Sequence, residues 1–235
     1  MLPRRSLPRR RMIQLLGASP IALAACGAPS MRDDGGLGLD GGSLDGGSLD
    51  GGMLGTDGGL ESCAPSRRDA LGPFFEDGAP SRAELAPIDE PGQRLFVQGR
   101  LVDARCRPLS GFVLDVWQAD AEGNYPSAID SGFRLRGRVT TDAEGSFALE
   151  SIVPGYYETA AGPRPAHLHV RVWTADGVDR LVTQLYFAGD PFLGDADGCG
   201  PPTCFSGDAD RILALEPARV NGRDGVIARP RLVLG

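Results

Sequence analysis

From residue 94 onward the chain is a succession of short apolar segments, each closed by Gly, Pro, Asp or Ala, and none holds a helical period. They read RLFVQGRLVDA (94–104), FVLDVWQADA (112–121), FRLRGRVTTD (133–142), GSFALESI (145–152), AHLHVRVWTA (166–175), RLVTQLYFAG (180–189), ILALEP (212–217) and GVIARPRLVL (225–234). Apolar and polar residues alternate in the first of them, the period of a strand with one buried face. The 34 glycines and 19 prolines of the 235-residue sequence supply frequent breaks. Short strands with regular turn signals predict an all-β fold: a β-sandwich of mostly antiparallel strands with long functional loops. Residues 63–235 suffice for one domain with one core. The loop-rich stretches 120–133 and 153–165 are where function is expected.

The first 26 residues read as an export signal rather than as part of the fold. Arg9, Arg10 and Arg11 precede a modest apolar stretch that ends Leu23-Ala24-Ala25-Cys26. The twin arginine suggests Tat-type export, and the apolar run is too short and too broken by Pro20 to span a membrane. Leu-Ala-Ala-Cys resembles a bacterial lipoprotein signal with Cys26 lipidated; the alternative is an ordinary cleaved signal. Residues 27–62 carry the repeat LDGGSLDGGSLDGG. With so little apolar mass this tract is expected to be a disordered, flexible tether. A calcium-binding β-roll would need longer nonapeptide arrays. The expected location is therefore outside the cytoplasm, on a membrane only through a lipid anchor.

The formal net charge is −7, every basic residue is arginine, and the balance becomes more acidic once the signal is removed. Nucleic acid is a poor partner for such a surface. No dinucleotide fingerprint or phosphate-binding loop occurs. Besides Cys26 there are Cys63, Cys106, Cys199 and Cys204. An even count in an exported domain suggests two disulfides. Of the three pairings, Cys199–Cys204 closes the short GCGPPTCF loop, and Cys63–Cys106 ties the domain's start to an early turn. No CxxC pair exists, so zinc is a weak reading for these cysteines.

The only two histidines, His167 and His169, stand one residue apart in RPAHLHV. On a strand they project to one face, where one metal ion could take both. The motif alone does not separate ligation from an ordinary buried histidine. Loop tyrosines add donors: Tyr125 closes WQADAEGNY, and Tyr156 and Tyr157 follow Pro154-Gly155. Two phenolates with two imidazoles suit Fe(III) better than Zn(II) or Cu(I).

The ordered blocks LGPFFEDGAP, GRLVDARCRPLSGFVLDVWQADAEGNY, FRLRGRVTTDAEGSFALESIVPGYY, RPAHLHVRV and TQLYFAGDP resemble the intradiol ring-cleavage dioxygenases across residues 71–192. That family includes protocatechuate 3,4-dioxygenase and catechol 1,2-dioxygenase. The resemblance implies a non-haem Fe(III) centre held by Tyr125, Tyr157, His167 and His169. It implies that Tyr157, by its offset from Pro-Gly, is the ligand rather than Tyr156, and that it takes a substrate proton. Arg164 matches the arginine over the substrate ring, and Gln184 a polar residue lining the same pocket. The partners implied are a small aromatic diol and O2, and the product a cis,cis-muconate-type dicarboxylate. Departures are Leu71-Gly72-Pro73, where relatives show Glu-Gly-Pro, and the absence of the N-terminal helical segment that the catechol enzymes use to dimerise. Substrate and oligomeric state, a homo-oligomer included, therefore stay open. Two rival readings remain: a binding module that kept the fold without the chemistry, and a Zn- or Cu-dependent hydrolase with Asp176 as third ligand.

Overall fold

The computed structural model describes residues 63–235. The export signal, Cys26 and the Gly/Asp tract lie outside the described residues. The strands, in order, are β1 (Arg94–Asp103), β2 (Val113–Gln118), β3 (Arg136–Thr140), β4 (Ser146–Ile152), β5 (Tyr157–Thr159), β6 (Gly162–Arg164), β7 (His167–Trp173), β8 (Asp179–Phe187), β9 (Ile212–Leu213), β10 (Glu216–Val220), β11 (Arg223–Ala228) and β12 (Arg231–Leu234). One sheet runs β3-β2-β7-β8-β9. The other is built on β1, which pairs antiparallel with β4 along one edge and parallel with β11 and then β12 along the other. β10 pairs antiparallel with β11, and β5–β6 form a separate antiparallel hairpin.

The expected sandwich is present, and most pairings are antiparallel. Two expected strands divide. The 212–217 segment divides into the whole of β9 and the start of β10, and 225–234 breaks at Pro230, which has no N–H to give a ladder. The stretch 153–165, read as loop, contains the β5–β6 hairpin.

The core lies between the sheets. From β2, β7 and β8 it takes Leu114, Val116, Leu168, Val170, Val172, Leu181, Leu185 and Phe187; Leu95, Val97, Leu101, Leu149, Val226 and Leu232 face them. Alternation leaves the other parity on the opposite side of the first sheet. Trp117, His167, His169, Gln184 and Tyr186 therefore share its outer face, yet all are buried. Segments before β1, after β2 and around the β5–β6 hairpin cover that face and form the site.

Both favoured disulfides are formed, Cys63–Cys106 and Cys199–Cys204, with Cα separations of 5.3 and 5.4 Å. Among the described residues no helix is long and apolar enough to cross a membrane.

Candidate metal centre

His167 and His169 are adjacent same-face residues of β7, and their neighbours are set by register. Trp117 of β2 stands opposite His169 on one side and Gln184 of β8 on the other; Tyr186 stands opposite His167. The His167 Nδ1 lies 2.6 Å from the Pro165 carbonyl, which can only accept. The proton therefore sits on Nδ1, and the bare Nε2 faces the cluster. Burial, then the nearby Arg164 charge, lowers the His167 pKa to about 3. Burial and His167 itself push His169 well below its ordinary value. Both rings are thus neutral, the form a metal requires.

Three donor atoms converge. The Tyr125 hydroxyl lies 3.0 Å from His169 Nε2 and 3.4 Å from His167 Nε2, and the two Nε2 atoms are 3.1 Å apart. Ligand bonds of about 2.0–2.1 Å place neighbouring donors about 2.8–3.4 Å apart for angles between square and tetrahedral. The triangle has the dimensions of one face of a coordination sphere. Tyr157 stands beside it, its ring 5.6 Å from that of Tyr125 and 5.9 Å from that of His167. Tyr156 turns away, half exposed, against Phe192.

Burial raises the phenol pKa of both Tyr125 and Tyr157; Arg164 pulls that of Tyr157 back. A phenolate here therefore needs a cation at bonding distance. Two neutral imidazoles with two phenols beside an arginine fit a trivalent ion of oxygen and nitrogen preference. Among the described residues no three His, Cys, Asp or Glu side chains converge. Asp176, the third ligand a hydrolase would need, bonds instead to Thr174 in the exposed turn after β7.

The tyrosines are delivered by two loops that press together. Gly123 has φ +86°, and a Cβ there would sit 2.1 Å from the Tyr156 carbonyl oxygen, so only glycine lets the 120–125 turn lie against Tyr156–Tyr157. An open cleft of about 610 Å³ leads to the centre, walled by Phe74, Glu122, Asn124, Tyr125, Tyr157 and Glu158. Phe74 stacks on Tyr125 at 4.1 Å.

Arg164 is buried directly opposite Tyr157 in the β5–β6 hairpin. Its Nη2 donates to Gln184 Oε1 at 2.8 Å, and Gln184 Nε2 donates to the Ala70 carbonyl at 2.8 Å. The Tyr186 hydroxyl lies 2.9 Å from Asp69 Oδ2, which also pairs with Arg211. Trp117, Tyr186 and Asp69 were not singled out in the sequence. For the first two the signal existed: each sits on a site-facing position of a recognised strand. Asp69 precedes every regular element and has no such signal.

The fold and this centre define a β-sandwich with a His/Tyr donor set, and comparison gives the family. Residues 71–198 match a family model described as dioxygenase. Chlorocatechol 1,2-dioxygenase of Rhodococcus opacus is 42% identical over 151 residues, covering 54% of this chain and 58% of that one. Protocatechuate 3,4-dioxygenase beta chain of Burkholderia cepacia is 38% identical over 148 residues, 54% of this chain and 61% of that one. The solved dioxygenase domain of a dioxygenase–carbohydrate-binding fusion from Streptomyces sp. SirexAA-E superposes with a TM-score of 0.57 at 33% identity, covering 73% of this chain and 98% of that one. The chain belongs to the intradiol ring-cleavage dioxygenase family. It spans little more than half the length of the curated relatives, 58% and 61% of the two above.

Proposed function

We propose that the domain is a non-haem Fe(III)-dependent intradiol dioxygenase that opens the ring of a catechol-type diol with O2 to give a cis,cis-muconate-type dicarboxylate. The observation that carries this reading is the convergence of Tyr125 Oη, His167 Nε2 and His169 Nε2 within 3.4 Å, with Tyr157 beside them. Fe(III) bound there would supply Lewis acidity to a chelated catecholate and lower the barrier to its reaction with O2.

The chain's own contributions follow from position. Tyr125, His167 and His169, all buried or nearly so, would hold the ion. Tyr157 is partly exposed on the cleft wall, where its phenolate oxygen can take a proton from an incoming diol. Arg164 Nε and Nη2 are occupied by Asp197, Gln184 and Tyr186, and the guanidinium stands close enough to the Tyr157 phenol to pull its pKa back against burial. From there its charge can face charge developing on the substrate oxygen, a role worth about 2–4 kcal/mol. Phe74 against Tyr125 keeps water from the buried side. The two disulfides support an oxidising compartment, consistent with export and tethering through a lipidated Cys26.

A visible absorption spectrum before and after adding catechol tests the reading. A broad tyrosinate–Fe(III) band that moves to longer wavelength with catechol is expected. A protein that stays colourless after iron reconstitution would leave a binding module on the same fold as the better account.

A further inference from the structure

Arg164 is held by a second buried partner besides Gln184. Its Nε donates to Asp197 Oδ1 at 2.7 Å, and the side chains are 5% and 1% exposed. Asp197 is fixed in turn. Its Oδ1 also accepts the Cys199 N–H at 2.9 Å, and its own N–H donates to the Gly194 carbonyl at 3.1 Å. The next residue, Gly198, donates to the Pro163 carbonyl at 2.7 Å, clipping the segment to the neighbour of Arg164 on β6. The Cys199–Cys204 disulfide closes this loop, and the following Phe205 N–H reaches Asp69 Oδ2 at 3.3 Å.

A buried guanidinium held through Nη2 alone, by Gln184 Oε1 at 2.8 Å and the Tyr186 hydroxyl at 3.4 Å, could still pivot about that nitrogen. The acceptor on Nε removes the freedom and fixes the plane of the guanidinium. A buried ion pair is a weak source of stability in itself, since desolvation offsets much of its attraction. Its effect on direction does not suffer that offset.

We propose that Asp197 is a positioning residue for Arg164, held by the Cys199–Cys204 loop, which sets the orientation in which the guanidinium meets the reacting diol. The proposal rests on the ring-cleavage reading above.

Turnover of catechol is measured for the iron-loaded protein, Asp197→Ala, Asp197→Asn, Arg164→Gln and the double variant Asp197→Ala/Arg164→Gln. Thermal melts accompany each; Asp197→Leu, similar in volume and without an acceptor, replaces Asp197→Ala if that variant is unfolded at assay temperature. The arginine Nε–H resonances of the metal-free, 15N-labelled proteins are followed in parallel. Asp197→Ala should lower kcat by about 10²-fold, the scale of a misdirected catalytic group. Asp197→Asn, whose amide oxygen can still accept from Nε–H, should recover most of the loss. In the Arg164→Gln background, Asp197→Ala should change kcat by less than about twofold. The protected Nε–H signal assigned by its absence in Arg164→Gln should vanish in Asp197→Ala and persist in Asp197→Asn.

An Asp197→Ala kcat within about twofold of wild type, or a loss equally large without Arg164, overturns the proposal. So does an Nε–H signal that stays protected in Asp197→Ala. If wild type cleaves no catechol, the functional reading falls and the Nε–H signal still decides whether Asp197 sets Arg164.

Discussion

Trp117 lies flat against His169, ring centroids 4.7 Å apart and planes 4° from parallel, because the two residues are directly opposed on β2 and β7. On the ring's edge the backbone of Gly72 approaches so closely that a Cβ would stand 3.0 Å from His169 Cε1. On its Nδ1 side the imidazole is thus set by a tryptophan and a glycine, not by a hydrogen bond, for Nδ1 is buried without a partner among the described residues.

Gly72→Ala should therefore disturb the centre. Residue 72 has φ +75°, which costs alanine about 1–2 kcal/mol, and the new methyl group pushes His169. Iron affinity should weaken about 10–100-fold, the range seen when a ligand's supporting contacts are lost. Competition with a chelator, read at the visible band, measures it.

Gly123→Ala should act on the tyrosines rather than the histidines. Its φ of +86° and the 2.1 Å clash with the Tyr156 carbonyl must separate the two loops. A loss of about 1–3 kcal/mol in stability is expected, with a shifted or bleached charge-transfer band. Denaturant melts and the spectrum test both parts.

The buried imidazoles make the metal-free protein acid-sensitive. Each has a folded pKa depressed below the unfolded value, His167 to about 3. Between pH 6.5 and about 3 the unfolded chain binds protons that the folded chain refuses, so stability is full above pH 6.5 and falls as pH drops. His167 contributes on the order of 1 kcal/mol per pH unit in that window, and His169 acts in the same direction. Urea midpoints at several pH values should show the slope, and His167→Asn should reduce it.

Glu122 and Glu158 are the charged residues on the cleft wall, and neither forms an ion pair among the described residues. Carboxylated catechols should be disfavoured against neutral ones. The double change Glu122→Gln/Glu158→Gln should raise kcat/KM for protocatechuate about fivefold at low salt, with little change for catechol. Steady-state kinetics on the two substrates decides it.

Cys63–Cys106 closes 43 residues of sequence and packs with Val102 and Val233, apart from the site. Replacing both cysteines by serine should cost about 2–4 kcal/mol of stability and leave turnover of the folded protein unchanged.

Much of this was legible in sequence because alternation encodes both layers at once. The strands that hold Trp117, His167, His169 and Gln184 are marked as short apolar segments between turn signals, while the choice of Tyr157 over Tyr156 comes from the family resemblance through its Pro-Gly offset. The β5–β6 hairpin was not legible: YET and GPR are three residues each and carry no apolar alternation. Asp197 was not legible either. An acid in a Gly-rich loop looks like any solvated turn residue, and only the folded Cys199–Cys204 segment turns it inward against Arg164.

The parity of β7 has a consequence for how the centre is assembled. Leu168, Val170 and Val172 pack between the sheets while His167 and His169 point the other way. A slip of one residue in pairing would put both histidines in the apolar layer and three aliphatic side chains over the tyrosines. The core therefore proofreads the centre: a chain that has found its hydrophobic register has, in the same step, gathered its two histidines on the site face.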